Sequence, residues 1–326
     1  MKAIVYERYG PPEVLQFKEL AKPAPADNEV LIKVRAASVN PLDWHFMRGE
    51  PWPIHLMLGL RKPKEIRLGV DVAGVVDAVG KDVTQFKPGD EVFGGCRGAF
   101  AEYVNAKEDT LALKPASLSF ESAAAVPIAA ITALQGLRDT GKIKPGQKVL
   151  VDGASGGVGT FAIQIAKAFG AEVTAVCSTR NLDQARSLGA DYVIDYTRED
   201  FTRNGQRYDL IFGANAYHSI FAYRRALRPG GTCVKAGGKA NLSAMLLEFL
   251  LSLMFSAVSS KKVCGFLAKM NKNDLLLLKE LLEDGKVVPV IVRRYPLSET
   301  AQAIRHLEEG HAQGKVILTV ADSPFT

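Results

Sequence analysis

Glycines 153, 156, 157 and 159 stand between an apolar run and a helical run in KVLVDGASGGVGTFAIQIAKAFGAEVTAVCSTRN, residues 148–181. A turn that holds a dinucleotide needs one small residue where the chain reverses and a second where backbone meets pyrophosphate. A third is needed where helix packs on strand. Those positions fall on Ala154, Gly156 and Gly159. The first glycine of the plain pattern is therefore an alanine, and such a match also fits a tight strand-to-helix turn in another α/β protein. The flanks favour the dinucleotide: the strand KVLVDG comes before, and Val158, Phe161, Ala162, Ile165 and Phe169 give the following helix an apolar stripe at 3–4 spacing. Ser155, Gly156, Gly157, Val158 and Gly159 open that helix, and their amides can receive a pyrophosphate without any basic side chain.

The second strand ends in Ser178, Thr179, Arg180 and Asn181, where an NAD site places an acid against the ribose hydroxyls. Two hydroxyls and a planar cationic fork suit a 2′-phosphate instead. The residues thus point to NADPH rather than NADH, with a solvated helix-start residue as the alternative for Arg180. Asn215 in GANAY, and Ala236 and Gly237 in VKAGGK, end two later strands, where open parallel sheets present ligands, although glycines there are also plain turns.

The elements that must hold these residues follow from periodicity. Short alternating runs separated by Gly and Pro turns (AIVYE, EVLIKVRAASV, GVDVAGVVDAV, DEVFG, FAEYVNA) predict a β-rich, barrel-like domain over 1–121. Ser119 suits an N-cap and Pro127 a helix first turn, marking the crossing into a second domain. Over 122–266, continuous apolar strands alternate with helical stretches, which predicts an α/β domain with a doubly wound parallel sheet. Residues 267–326 add the amphipathic run DLLLLKELLEDGKV, a further helix and a last strand expected to return to the first domain.

At 326 residues, 47% hydrophobic and 23% charged, the chain has ample core for two domains and no disordered composition. Its net charge of +6 is scattered, and no cluster is interleaved with aromatics, so nucleic acid is not expected as a partner. The four cysteines form no CxxC or CxxH pair, which fits the reducing cytoplasm and suggests no metal knuckle. The start MKAIVYERYG lacks a signal-peptide pattern. The apolar stretch 243–258 contains Glu248 and is too short to span a bilayer; it reads as a helix at an interface or, second, one lying on a membrane.

Gly146, Gln147, Leu150, Ala154, Ser155, Gly156, Gly157, Gly159, Gln164 and Lys167 together resemble the signature of the quinone oxidoreductase (zeta-crystallin) group of medium-chain dehydrogenase/reductases. The likeness extends through MKAIVYERYGPPEVL, AASVNPLDW, FKPGDEVFG, GADYVIDY and GHAQGKVIL, and comes nearest to chloroplast-envelope quinone oxidoreductase homologues and alkenal or ene-one reductases. It implies a GroES-like (chaperonin-10-type) barrel domain joined to a Rossmann domain, the active site in the cleft between them, and a homodimer or homotetramer. It also implies that no zinc is bound: zinc-dependent relatives place a Cys where this chain has Asn40 and a GHE where it has Gly69, Val70 and Asp71. The four-cysteine structural zinc lobe is missing as well.

Carried over by position, Asn40, Asp43 and His45 should line the nicotinamide and substrate pocket, and Thr132 should approach the carboxamide. Relatives often carry lysine at position 45; His45 is then a neutral pocket residue, a general acid, or packing beside Trp44. Tyr196 resembles a tyrosine near the adenosine phosphate, or is an edge-strand aromatic. His311 and Lys315 match the family's end motif and close over the nicotinamide side, or simply mark a helix stop before a strand. The basic and apolar loop 51–68 sets substrate choice or is a surface insertion. The implied activity is NADPH-dependent hydride transfer to a quinone or an α,β-unsaturated carbonyl, which needs no Lewis acid. A zinc-independent alcohol or aldehyde dehydrogenase and a non-catalytic NADPH-binding protein are the alternatives.

Overall fold

Strands and helices alternate along the chain in a computed structural model, which describes residues 1–214, 218–237, 260–310 and 313–321. In chain order the elements are β1 (Lys2–Val5), β2 (Gln16–Glu19), β3 (Glu29–Val39), α1 (Pro41–Arg48), α2 (His55–Leu58), β4 (Asp71–Val79), β5 (Glu91–Gly95), β6 (Tyr103–Lys107) and β7 (Leu111–Leu113). Then come α3 (Phe120–Ala124), α4 (Pro127–Gln135), β8 (Lys148–Asp152), α5 (Gly157–Ala168), β9 (Glu172–Cys177), α6 (Leu182–Ser187), β10 (Tyr192–Asp195), β11 (Tyr208–Gly213), α7 (Ile220–Ala226) and β12 (Leu227–Lys235). The described chain closes with β13 (Lys262–Gly265), α8 (Lys272–Glu283), β14 (Ile291–Pro296), α9 (Thr300–Glu308) and β15 (Lys315–Thr319).

Two compact units result. The first comprises Met1–Ile128, Met270–Glu283 and Pro289–Thr326, the second Ala129–Lys269 and Asp284–Val288. In the first, a seven-stranded sheet runs β14-β15-β3-β4-β5-β7, with β6 also paired to β3. Apart from the parallel β14–β15 pair, its strands run antiparallel. The apolar runs read from the sequence supply its core, including Ile32, Val34, Val72, Val76, Phe100 and Leu111. Each such side chain contributes about 1.5–3 kcal/mol by leaving water. α8 buries Leu275, Leu278 and Leu282 at helical spacing.

The second unit holds a six-stranded parallel sheet in the order β10-β9-β8-β11-β12-β13. Chain order reverses between β8 and β11, the switch point where open α/β sheets bind ligands beyond the carboxyl ends of their strands. Its core gathers Leu150, Val176, Phe201, Ile211, Tyr223 and Leu227.

Local signals act as the sequence suggests. Ser119 caps α3 by accepting from the Ser122 amide at 3.1 Å, and Pro127 opens α4. The helical run after Pro127 extends to Thr140, its α part ending at Gln135. At Gly136 it passes into a π-helix to Thr140, where Gln135 exchanges side-chain hydrogen bonds with the Lys269 backbone at 2.7 and 2.9 Å. No helix among the described residues is long and apolar enough to cross a membrane. The stretch 243–258 lies outside the described residues.

Candidate active site

Asp152 ends β8, and the chain reverses at Gly153, whose φ of 79° is left-handed. The Ala154 amide donates to Val176 O at 3.0 Å, tying the turn to β9. A Cβ on Gly159 would lie 2.1 Å from Gly153 O and 2.8 Å from the Ala154 backbone, so no side chain fits where α5 meets the turn. A Cβ on Gly156 would come no closer than 3.6 Å to anything. The protein's own packing therefore does not require glycine at 156, and its bare face suits an approaching group. α5 opens at N-cap Gly156 with no side-chain cap and no acid in its first turn, leaving its first amides and positive dipole end for an anion. Ser155, Gly157 and Val158 are half-buried around it.

Beneath the turn, the buried Asp152 carboxyl accepts from Tyr223 Oη at 2.6 Å. Burial raises its pKa, which disfavours a negative charge directly behind the anion site.

At the end of β9, Thr179–Asn181 form a 3-10 turn into α6. Asn181 is buried and donates to Ser178 Oγ at 3.2 Å, while Arg180 is exposed. An acid is present after all, and it comes from the neighbouring strand. Asp195 pairs in register with Cys177 and accepts from the Thr179 hydroxyl. Thr197 donates to its other oxygen from Oγ1 at 2.7 Å and from its amide at 3.0 Å. The Thr179 bond first, then those from Thr197, hold this carboxyl below its ordinary pKa. Tyr196 follows, 59% exposed. The sequence reading missed Asp195; its signal was the acid ending DYVID.

Thr132 is half-buried on α4, and Ala236 and Gly237 follow β12 at the same carboxyl edge as the glycine turn. Asn215 and His311 lie outside the described residues.

In the first unit, antiparallel register builds a buried polar cluster. Ser38 on β3 faces Asp71 on β4, and Val39 faces Val316 on β15, which brings Lys315 beside Asn40. Asp71, with 0% exposure, accepts from Ser38 Oγ at 2.6 Å, Asn40 Nδ2 at 2.9 Å and the Ile128 amide at 2.9 Å. Lys315 Nζ donates to Asn40 Oδ1 and lies 3.5 Å from Asp71 Oδ2. Asn40 is thus fixed at both ends of its amide. Asp43 accepts from the Asn40 amide at 2.8 Å, closing the first turn of α1, and from the Gly69 amide at 3.1 Å.

Two charges and a third titratable group share this dry space. Burial lowers the Lys315 pKa, opposed by Asp71 and Asp43. Burial also raises Asp43 to about 7, opposed first by its bond from the Asn40 amide. The sequence reading named Asn40, Asp43 and Lys315 but not Ser38 or Asp71 as partners. An acid inside the apolar run LGVDVAGVV was the available sign.

His45 stacks on Trp44, ring centroids 3.7 Å apart, and its Nδ1 lies 2.9 Å from Glu50 O. Burial lowers its pKa. With Nδ1–H donating to a carbonyl, the neutral ring has only an acceptor at Nε2, which favours a packed, neutral residue over a proton donor.

One prediction follows from Asp43. Unfolded, the carboxyl titrates near 4; folded, it titrates at about 7, so only the native state keeps its proton between these values. Asp43's contribution to stability is fullest below pH 4 and falls as pH rises to about 7, by roughly 1.4 kcal/mol per unit. Asp43→Asn should remove this slope. Between pH 4 and about 7 the stability of the parent relative to the variant should fall with rising pH, and parallel melting curves would refute the assignment.

Comparison with known proteins agrees with this architecture. Residues 26–116 match the profile described as alcohol dehydrogenase GroES-like domain, and residues 188–318 that described as zinc-binding dehydrogenase. The 2-methylene-furan-3-one reductase of Solanum lycopersicum is 36% identical over 98% of this chain and 79% of its own length. The NADPH-dependent alkenal/one oxidoreductase, chloroplastic, of Arabidopsis thaliana is 35% identical over the same shares. The quinone oxidoreductase structure from Coxiella burnetii superposes with a TM-score of 0.86 at 32% identity, covering 98% of this chain and 99% of that one. The chain belongs to the medium-chain dehydrogenase/reductase family, in its quinone oxidoreductase and alkenal/one reductase group. Its fold is the GroES-like barrel with a Rossmann-type parallel sheet.

Proposed function

We propose that the chain is an NADPH-dependent reductase of quinones or α,β-unsaturated carbonyls that works without zinc. The observation that carries this reading is the carboxyl edge of the parallel sheet, where a bare glycine turn, an uncapped helix start and the Ser178–Thr179–Arg180 end of β9 stand together. The NADPH dependence in the name of the Arabidopsis relative, the NADPH bound in an E. coli quinone oxidoreductase structure and the quinone and enone acceptors in the relatives' names support it.

When bound, NADPH supplies a hydride. The α5 amides and Gly156 would hold its pyrophosphate, while Ser178 and Arg180 would hold the 2′-phosphate, beside Thr179, whose hydroxyl is given to Asp195. Asp195 fastens that turn through the bonds it accepts from Thr179 and Thr197. Thr132, Tyr196, Asn215, Ala236, Gly237 and His311 are assigned to the cofactor with them. Asn40, Asp43, His45 and Lys315 shape the acceptor end. Lys315 and Asp71 lock the Asn40 amide, Asp43 closes the start of α1, and His45 lies neutral against Trp44. The work of these groups is orientation and exclusion of water, with the accompanying proton drawn from solvent or a nearby hydroxyl. Val70 offers no metal ligand, and among the described residues no three of His, Cys, Asp or Glu are placed to hold an ion. We place the protein in the cytoplasm, whose reducing poise suits its four unpaired thiols, and as a homodimer or homotetramer.

NADPH consumption against quinones, enones, aldehydes and simple alcohols, with NADH in parallel, tests the reading. Quinone or enone turnover with NADPH preferred is expected. Arg180→Ala should raise the NADPH KM about 10- to 100-fold, the loss of a charge-assisted contact, and leave that for NADH nearly unchanged. Oxidation of simple alcohols alone, or no turnover with any acceptor, would overturn it.

A further inference from the structure

The loop 51–64, which the proposed reaction leaves unused, turns its large apolar side chains outward. Trp52 is 65% exposed, Leu56 66% and Leu60 65%. Trp52 and Leu56 lie four residues apart across a 3-10 turn (Trp52–Ile54) and α2, on one face. The loop's base is fastened. Tyr9 Oη donates to Gly59 O at 2.7 Å, the Lys64 amide donates to Leu58 O at 2.7 Å, and the His55 ring stacks on Tyr9 at 4.2 Å. Such a support leaves the apolar tips outside by construction, where a chance excursion would bury them.

Next to them stand Arg61, Lys62 and Lys64, all exposed, and residues 51–64 contain no Asp or Glu. Of the acids nearby, Glu50 is exposed at the start of the loop, beside Arg48 and His45, and two others are engaged elsewhere. Glu65 binds Arg67 at 3.0 Å, and Glu7, which feels Lys62, is paired with Lys18 at 2.7 Å.

We propose that this face docks the protein on an anionic lipid bilayer, with Trp52, Leu56 and Leu60 entering the headgroup layer and Arg61, Lys62 and Lys64 meeting lipid phosphates and carboxylates. An indole favours the membrane–water boundary, and cations beside an apolar face favour anionic lipid. A second copy meeting the same patch across a twofold axis would set these cations against each other. The attachment is interfacial: no helix among the described residues is long enough to cross.

Flotation of the full chain with phosphatidylcholine vesicles, with and without phosphatidylserine, tests this. The protein should float only with phosphatidylserine, and less as added salt shortens the screening length from about 8 Å at 0.15 M to about 3 Å at 1 M. Trp52→Ser with Leu56→Ser, and separately Arg61→Gln with Lys62→Gln and Lys64→Gln, should each lower partitioning at least about tenfold. Absence of flotation, or equal flotation of parent and variants, would overturn the proposal. So would an oligomer in sedimentation that Trp52→Ser dissociates, which makes the patch a self-interface. A melting temperature several degrees lower in Leu56→Ser would instead show that the patch packs against its own chain.

Discussion

Gly159→Ala is expected to yield a chain that neither retains NADPH nor reduces any acceptor. The added methyl would sit 2.1 Å from Gly153 O and 2.8 Å from two backbone atoms of Ala154, and backbone at a strand end cannot step aside as a flexible side chain can. Relief requires moving α5 off the turn, at a cost of about 1–3 kcal/mol or more, and the amides aimed at the pyrophosphate move with it. Gly156→Ala separates the two effects. Its methyl finds nothing nearer than 3.6 Å inside the protein, so the fold should keep its melting temperature. In the proposed cofactor site it faces the pyrophosphate, and the NADPH KM should rise about tenfold or more, a loss of roughly 1.4 kcal/mol. Normal cofactor binding by Gly156→Ala would place the pyrophosphate elsewhere.

Lys315→Met should be the most destabilising change in the first unit. It leaves Asp71 buried as an uncompensated charge and removes the donor that holds Asn40 Oδ1. Breaking a buried pair from one side costs about 3–5 kcal/mol. Adding Asp71→Asn removes the stranded charge as well, so the double variant should be more stable than Lys315→Met alone. Thermal and denaturant melts of the four proteins in the cycle decide this, with additive losses counting against a coupled pair. Acceptor turnover should fall with stability in the single variant, because the Asn40 carbonyl oxygen then loses its donor while Nδ2 stays on Asp71 and Ser38.

Much of this site is legible in the sequence because it is local. Alternating runs gave the barrel strands, a single glycine turn with its helical stripe marked the dinucleotide edge, and Ser119 and Pro127 act on residues within one helical turn of themselves. What escaped is carried by pairs distant along the chain. Nothing near Lys315 hints at Asp71, 244 residues earlier, because their meeting depends on β15 lying against β3 in one register. Asp195 was hidden for the same reason: it belongs to β10 yet serves the end of β9. The outward turn of Trp52, Leu56 and Leu60 was also beyond composition, since apolar residues in a sequence ordinarily read as interior.

The position of β15 has a consequence for biosynthesis. Strand β3 emerges from the ribosome early, but its neighbour on one side is the last described strand, 275 residues separating Asn40 from Lys315. During translation the Ala36–Val39 end of that edge must wait bare, although β6 covers Glu29–Lys33, whereas the parallel sheet draws its strands from consecutive stretches and can close first. The early half is therefore the portion most in need of a chaperone. A stop codon just before β15 would release a protein whose nucleotide half is finished and whose other half still exposes a sticky strand.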